Sequence, residues 1–311
     1  MSAEPGTGRS GTGHSLPAAG FVLLASLTLF WGVNWPAMKI ALSEIPVWSF
    51  RSLCLIVGGS VLLLIARLSG QRVRVPAAEA RPLLVCALFN VIGWHLFTGY
   101  GLTLIEAGRA AIIAFTMPLW AAALSYLVLG EAFTRRKLLG LILGMAGLAV
   151  LIGPDLSAFG ATPLGAVFML AAAVSWAMGT VAMKHYSWSI PVGVLAGWQL
   201  LAGSIPITFG AIFVEGVPDP GGISLTALIA LVYILAIPMV FCQWAWFKVV
   251  RLFPAALAAI GTLAIPIVGV LSSAVVLGEA VGAREIVSLV LVCSALAVVL
   301  VLPGLRQARK A

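Results

Sequence analysis

Charge is what this sequence has least of. Only 9% of its 311 residues are Asp, Glu, Lys or Arg, and the acids number 10. Soluble domains carry about a quarter charged residues, so this chain has too little polar surface to cover a water-soluble globule. Cysteine is scarce as well. Cys54, Cys86, Cys242 and Cys293 all lie in apolar runs without ligand spacing, which argues against a metal site and against a disulfide framework. The sequence has no Gly-rich phosphate loop, no His-x-x-x-His pair, no paired carboxylates inside an apolar run and no ATP-binding domain. Those gaps leave no catalytic residues, cofactor or metal to assign. They also exclude a primary pump unless a partner chain supplies the energy.

What the sequence has is hydrocarbon. Hydrophobic residues make up 62% of it, with a mean hydropathy of +1.13. A bilayer core takes roughly 20 apolar residues per helical span. Ten runs of about that length stand between charges, Pro or Gly: 19–40, 47–67, 82–104, 107–129, 137–153, 163–184, 191–214, 224–248, 254–277 and 284–302. They are continuously apolar, whereas outer-membrane strands alternate over about 10 residues. The expectation is an all-α integral membrane protein of ten transmembrane helices, with residues 1–18 a disordered Gly/Ser/Thr-rich tail and 303–311 a basic tail. A signal peptide is the competing reading of the first run, but that run is too long for one and no small-residue cleavage site follows it.

A net charge of +8 suggests nucleic acid until its placement is considered. If residue 1 is cytoplasmic and every run crosses, 14 of the 18 Lys and Arg fall inside, leaving Lys39, Arg51, Arg109 and Arg284 outside. That is the positive-inside pattern. It predicts both termini in the cytoplasm, and as partners the lipid bilayer and a small-molecule solute, not nucleic acid. Gly140, Gly144 and Gly147 share one face of the fifth run, a spacing that allows close helix approach. Packing within a monomer and contact in a homodimer both fit it.

The chain also repeats itself. Met117-Pro118 leads to Gly130-Glu131-Ala132, and 148 residues later Ile265-Pro266 leads to Gly278-Glu279-Ala280. Trp31, Ala37-Met38-Lys39 and Pro46 recur 145 residues on as Trp176, Ala182-Met183-Lys184 and Pro191. The unit is five helices, 19–154 and 163–302. An odd number of crossings turns the second copy upside down, giving two inverted five-helix repeats.

Trp31-Gly32-x-Asn34, Arg51 just inside the second run, the Ala-rich starts of runs 4 and 9 and the two Pro-to-Gly-Glu stretches together resemble the EamA family of ten-helix permeases in the drug/metabolite transporter superfamily. The resemblance covers about residues 20–302. It implies a central cavity lined by helices 1, 3, 4, 6, 8 and 9, alternating access across the bacterial inner membrane, and export of amino acids or related zwitterions. Export of lipophilic compounds is the second expectation. A membrane-embedded enzyme or receptor would need a polar catalytic cluster or a large extramembrane domain, and the sequence has neither.

Candidate site residues are those too polar or too bulky for a plain span. Run 1 offers Trp31, Asn34 and Pro36; run 3 offers Trp94, His95 and Thr98; run 4 offers Thr116, Pro118 and Trp120. Trp176 and Thr180 follow in run 6, Gln243 and Trp244 in run 8, and Thr262 and Pro266 in run 9. His95, alone among ionisable groups near mid-span, can bind a carboxylate or relay a proton. The prolines Pro36, Pro118 and Pro266 each free a carbonyl one turn back and are expected to break their helices at the site. For the Trp and amide residues, packing between helices is the competing role. Glu131 and Glu279 read as helix-end groups or structural ion pairs.

Overall fold

In the computed structural model, residues 18–157, 163–216, 222–253 and 255–301 are described. The expected tails fall outside them, apart from Ala18 at one end. Among the described residues there is no strand, and helix runs in ten rods. These are α1 (Ala18–Leu42), α2 (Val47–Leu68), α3 (Ala77–Leu104), α4 (Ala107–Leu129), α5 (Arg135–Ser157), α6 (Pro163–His185), α7 (Val192–Glu215), α8 (225–252), α9 (Ala255–Leu277) and α10 (283–301). Eight are long and apolar enough to cross a membrane; of the others, α9 holds the apolar segment Thr262–Leu277 and α5 opens on three basic residues. Side chains such as Leu127, Phe213 and Val275 are 73%, 80% and 85% exposed. Lipid, not water, is the solvent that suits them.

The rods pack in a pattern that maps onto itself when every number is shifted by five. The most extensive pairs are α2 with α7, α1 with α9, α5 with α10, and α6 with both α3 and α4, while α1 also lies on α8. Shifting α1–α9 gives α6–α4, and shifting α3–α6 gives α8–α1. Small residues permit these approaches, since lipid supplies no hydrophobic drive between helices. Ala110, Ala111 and Ala114 of α4 are wholly buried. The stripe Gly140, Gly144 and Gly147 lies against Ala295, Val299, Val292 and Ser288 of α10, and Ser288 donates to the Gly147 carbonyl at 2.8 Å. The stripe therefore serves packing within the bundle.

One of the three proline-bearing rods breaks at its proline and two do not. α4 does break, with Ala107–Ala114 ending at Phe115 and Met117–Leu129 restarting with Pro118 in its first turn, where a missing N–H costs nothing. α1 and α9 run unbroken through Pro36 and Pro266, so these two are not helix breaks. Both rods are held along their length by each other and by α8 or α4, and a packed bundle can carry a single missing hydrogen bond without opening the turn. Among the unforeseen irregularities, beside π turns that end α7 and α10, are wide π turns within α3 at Leu88–Gly93 and within α8 at Ile237–Phe241. They occupy corresponding places in the two halves, and such turns recur at functional sites.

Gly-Glu recurs because of the glycine. Gly130 and Gly278 close α4 and α9 with φ of 66° and 70°, the left-handed conformation that costs other residues about 1–2 kcal/mol. Nothing lies within 4 Å of a Cβ built at either position, so strain alone sets the effect of substitution. Gly278→Ala is expected to destabilise the protein by about 1 kcal/mol and Gly278→Asn by less. Thermal unfolding in detergent checks the order of the three proteins.

Candidate solute site

The bundle brings the candidate tryptophans together in pairs. Trp94 of α3 and Trp176 of α6 have ring centroids 5.0 Å apart. On the other side Trp31 of α1 meets Trp246 of α8 at 5.8 Å. The repeat relates the two helix pairs, α3–α6 and α8–α1, although Trp246 stands one turn beyond Cys242, the position that answers to Trp94 at the 148-residue offset. Of the two tryptophans that follow Gln243 in α8, Trp244 does not make this contact with Trp31. Two residues on a helix point about 200° apart, so only one of the two can face α1. Trp244 is 39% exposed, beside Phe241 at 6.0 Å and with Lys248 Nζ 5.7 Å from its ring centre. Gln243 is partly buried between them.

Polar candidates divide into structural and unpartnered groups. Thr116 donates to the Ile113 carbonyl at 2.6 Å and accepts from Trp120 Nε1 at 3.2 Å, so these two stabilise the break in α4. Thr180 donates to Trp176 O at 2.9 Å within its own helix, and Thr262 is partly buried on α9. Asn90, in the π turn of α3, donates to Gln199 of α7 at 3.4 Å. Its Oδ1 is buried with no hydrogen-bond partner, and so are Asn34 Oδ1 on α1 and His95 Nδ1 on α3. Unmade bonds of buried polar atoms are costly and call for an explanation.

Thr98 leads to a residue missing from the candidate set. It donates back to Trp94 O at 2.7 Å and accepts from Arg51 Nη2 of α2 at 2.9 Å. Arg51 is 3% exposed. The available signal was a lone arginine one turn inside an otherwise apolar run.

The two ends of the bundle treat equivalent residues differently. Lys39, at the end of α1, donates to the Leu102 and Ile105 carbonyls that end α3, at 2.5 and 2.7 Å. Beside it Glu279 accepts from the Ala107 and Gly108 N–H groups that start α4, at 2.7 and 2.9 Å. That end is sealed by an ammonium on helix C-terminal carbonyls and a carboxylate on a helix N-terminus, both favoured by the helix dipole. At the opposite end their counterparts Lys184 and Glu131 touch only through a 3.2 Å ion pair, with Lys137 on the other carboxylate oxygen at 3.1 Å. Lys184 is 56% exposed. The two lysines hold the Glu131 carboxyl below its usual range. The pairing is therefore complete above the ordinary carboxylate range and is lost only as pH falls through the lowered value. Behind this pair a cleft of about 330 Å³ runs inward between α4, α6 and the end of α10, past Pro118 and Thr180 to Trp176.

A family model described as the EamA-like transporter family matches this chain twice, over residues 18–153 and 163–301. The chain belongs to that family. It is 30% identical to YvbV, an uncharacterized transporter of Bacillus subtilis, over 89% of this chain and 90% of that one. It is 26% identical to a probable amino-acid metabolite efflux pump of Salmonella typhimurium, covering 89% and 93%. YedA, an uncharacterized inner membrane transporter of Escherichia coli K12, is 27% identical over 85% of each chain. A solved crystal structure superimposes with a TM-score of 0.65 at 23% identity, covering 93% of this chain and 99% of that one, and shares the fold.

Membership makes this EamA protein an integral multi-pass membrane protein of a transporter family, which fits a site built from indoles and a few polar groups. Its sealed and unsealed ends also make different demands on stability. Lys39→Ala strands two buried carbonyls and is expected to cost about 1.5–3 kcal/mol, whereas the exposed Lys184→Ala costs about 0.5 kcal/mol or less. Thermal or denaturant unfolding of the two variants side by side measures the difference.

Proposed function

We propose that this protein is a secondary transporter that exports amino acids or related zwitterions across the bacterial inner membrane by alternating access. Its two halves, 19–154 and 163–302, act as inverted five-helix repeats, with both termini in the cytoplasm. The observation that carries this reading is the duplicated Lys and Glu pair, docked on helix ends at one side and undocked beside a cleft at the other. A duplicated seal closed at one end and open at the other is what two exchangeable states of an inverted repeat require. In the exchanged state Glu131 caps the start of α9 and Lys184 takes the last carbonyls of α8, while Lys39 and Glu279 let go. The positive-inside pattern places the open end, with Arg135, Arg136, Lys137 and Lys184, in the cytoplasm. The Salmonella relative, named a probable amino-acid metabolite efflux pump, supports the substrate class.

The indole pairs beside Asn34, His95, Thr98, Gln243 and Thr262 suit a solute with an apolar part and little net charge. The same tryptophans favour lipophilic compounds as the second substrate class, and flux of amino acids and of lipophilic cations through proteoliposomes separates the two. If neither class moves, both substrate assignments are refuted.

Alternating access predicts opposite effects of two similar substitutions. Glu279→Gln weakens the present seal and shifts the protein toward the exchanged state; Glu131→Gln weakens that state and leaves the present one favoured. A single cysteine at Thr180, probed from the cytoplasmic side with an impermeant maleimide, is expected to react more slowly in the first variant and no more slowly in the second. The same response in both would overturn the seal-exchange mechanism.

A further inference from the structure

We infer that Arg51 is the seat for a solute carboxylate, and so the residue that makes this transporter select zwitterions over amines. The inference rests on the transport reading above and deepens it. Arg51 lies one turn inside α2 and is 3% exposed. A guanidinium carries five N–H donors and stays charged. Here its neighbours are the Thr98 hydroxyl at 2.9 Å, the Met38 thioether at 3.5 Å and the Phe50 ring, whose centre lies 5.0 Å away. Its Nε–H is buried and unpartnered, and among the described residues no carboxylate lies within ion-pair distance of it. A buried cation persists where something pairs with it, and the protein supplies no such anion here.

The surroundings define what that anion belongs to. Met38 and Asn34 share a face of α1, one turn apart, and His95 precedes Thr98 by one turn on α3. Asn34 Oδ1 and His95 Nδ1, both buried and unpartnered, thus lie one turn further from the sealed end than the guanidinium. An α-carboxylate on Arg51 leaves the ammonium of the same solute to these acceptors, and the Trp94–Trp176 pair lies beside His95 for its apolar side chain. The seat is single. At the offset relating α2 to α7, Arg51 corresponds to Ala196, and Asn34 corresponds to Gly179, so the charge belongs to the first half alone. It also sits under the seal made by Lys39, the residue next to Met38, where a solute entering from the cleft would be held before release on the far side.

The test measures binding and flux separately on the full-length protein. L-leucine and L-phenylalanine, each beside its α-amide, are titrated against purified protein by tryptophan fluorescence, and their flux is followed in proteoliposomes. The wild type is expected to bind each acid roughly tenfold or more tightly than its amide, the scale of one lost charge-assisted hydrogen bond. Arg51→Gln is expected to erase that preference by weakening the acids alone, and Arg51→Lys to keep part of it. If Arg51→Gln does not fold, Thr98→Val, which removes the hydroxyl holding the guanidinium, is expected to lower the ratio of acid to amide affinity several-fold. A folded Arg51→Gln that keeps the preference, a Thr98→Val that weakens acid and amide alike, or a wild type with no preference for the acids overturns the seat. Acid-selective, Arg51-dependent binding without flux leaves the seat standing and overturns transport instead.

Discussion

Hydrocarbon offers no hydrogen bonds, so every backbone N–H and C=O in this chain needs a partner within the protein. The scarce charged residues are spent on that requirement. Glu215 accepts from the Trp48 and Ser49 N–H groups at the start of α2, each at 2.8 Å. Glu44 accepts from Ser224 just before α8 at 2.6 Å, which holds its carboxyl below the usual range, and Glu79 accepts from the N–H of Ser189 ahead of α7 at 3.0 Å. Glu279 and Lys39 close the ends of α4 and α3 in the same way. A carboxylate on a helix N-terminus and an ammonium on a C-terminus satisfy orphan groups and match the dipole at once. Glu131 is an exception, since it holds lysines and not a helix end, and Glu106 likewise pairs with Arg109 at 2.9 Å.

The exception at Glu131 gives the fold a mechanical sense. The Glu279 contact joins a rod of one half to a rod of the other, since Glu279 ends α9 and caps α4; in the proposed exchange Glu131 would reverse this by ending α4 and capping α9. One helix start can be capped only if the rods approach, so under that proposal closing one end and opening the other would be coupled through the same pieces. The πturns in α3 and α8 and the break in α4 lie along these rods, where a helix can bend without leaving a lasting gap in its bonding.

The two halves share geometry and differ in chemistry. Gly179 stands where the first half has Asn34, and the structure gives a reason: a Cβ at 179 would run into Asn90 of α3. Close approach of α3 and α6 thus leaves no room for a second polar group. Arg51 and Ala196 differ in the same sense. A binding site drawn from an inverted repeat becomes directional and selective only through such differences, because a fully symmetric site would present the same groups to both membrane faces.

Much of the architecture was legible in the sequence. Apolar runs bounded by charge located the rods, since both length and composition of a span are set by the bilayer. The doubled Pro-to-Gly-Glu stretch marked the repeat, and the left-handed Gly130 and Gly278 explain why it is doubled. Trp31, Trp94 and Trp176 stood out because bulky polar aromatics are unusual within spans, and all three are in the indole pairs. Three things depended on tertiary structure. Trp246, not Trp244, meets α1, because helical phase relative to a neighbour is fixed by packing and not by composition. Pro36 and Pro266 leave their helices whole where Pro118 does not, because a proline's effect depends on what surrounds the freed carbonyl. Arg51 joins Thr98, His95 and Asn34 in one region, because only the bundle brings α1, α2 and α3 together and shows which buried charges have no partner.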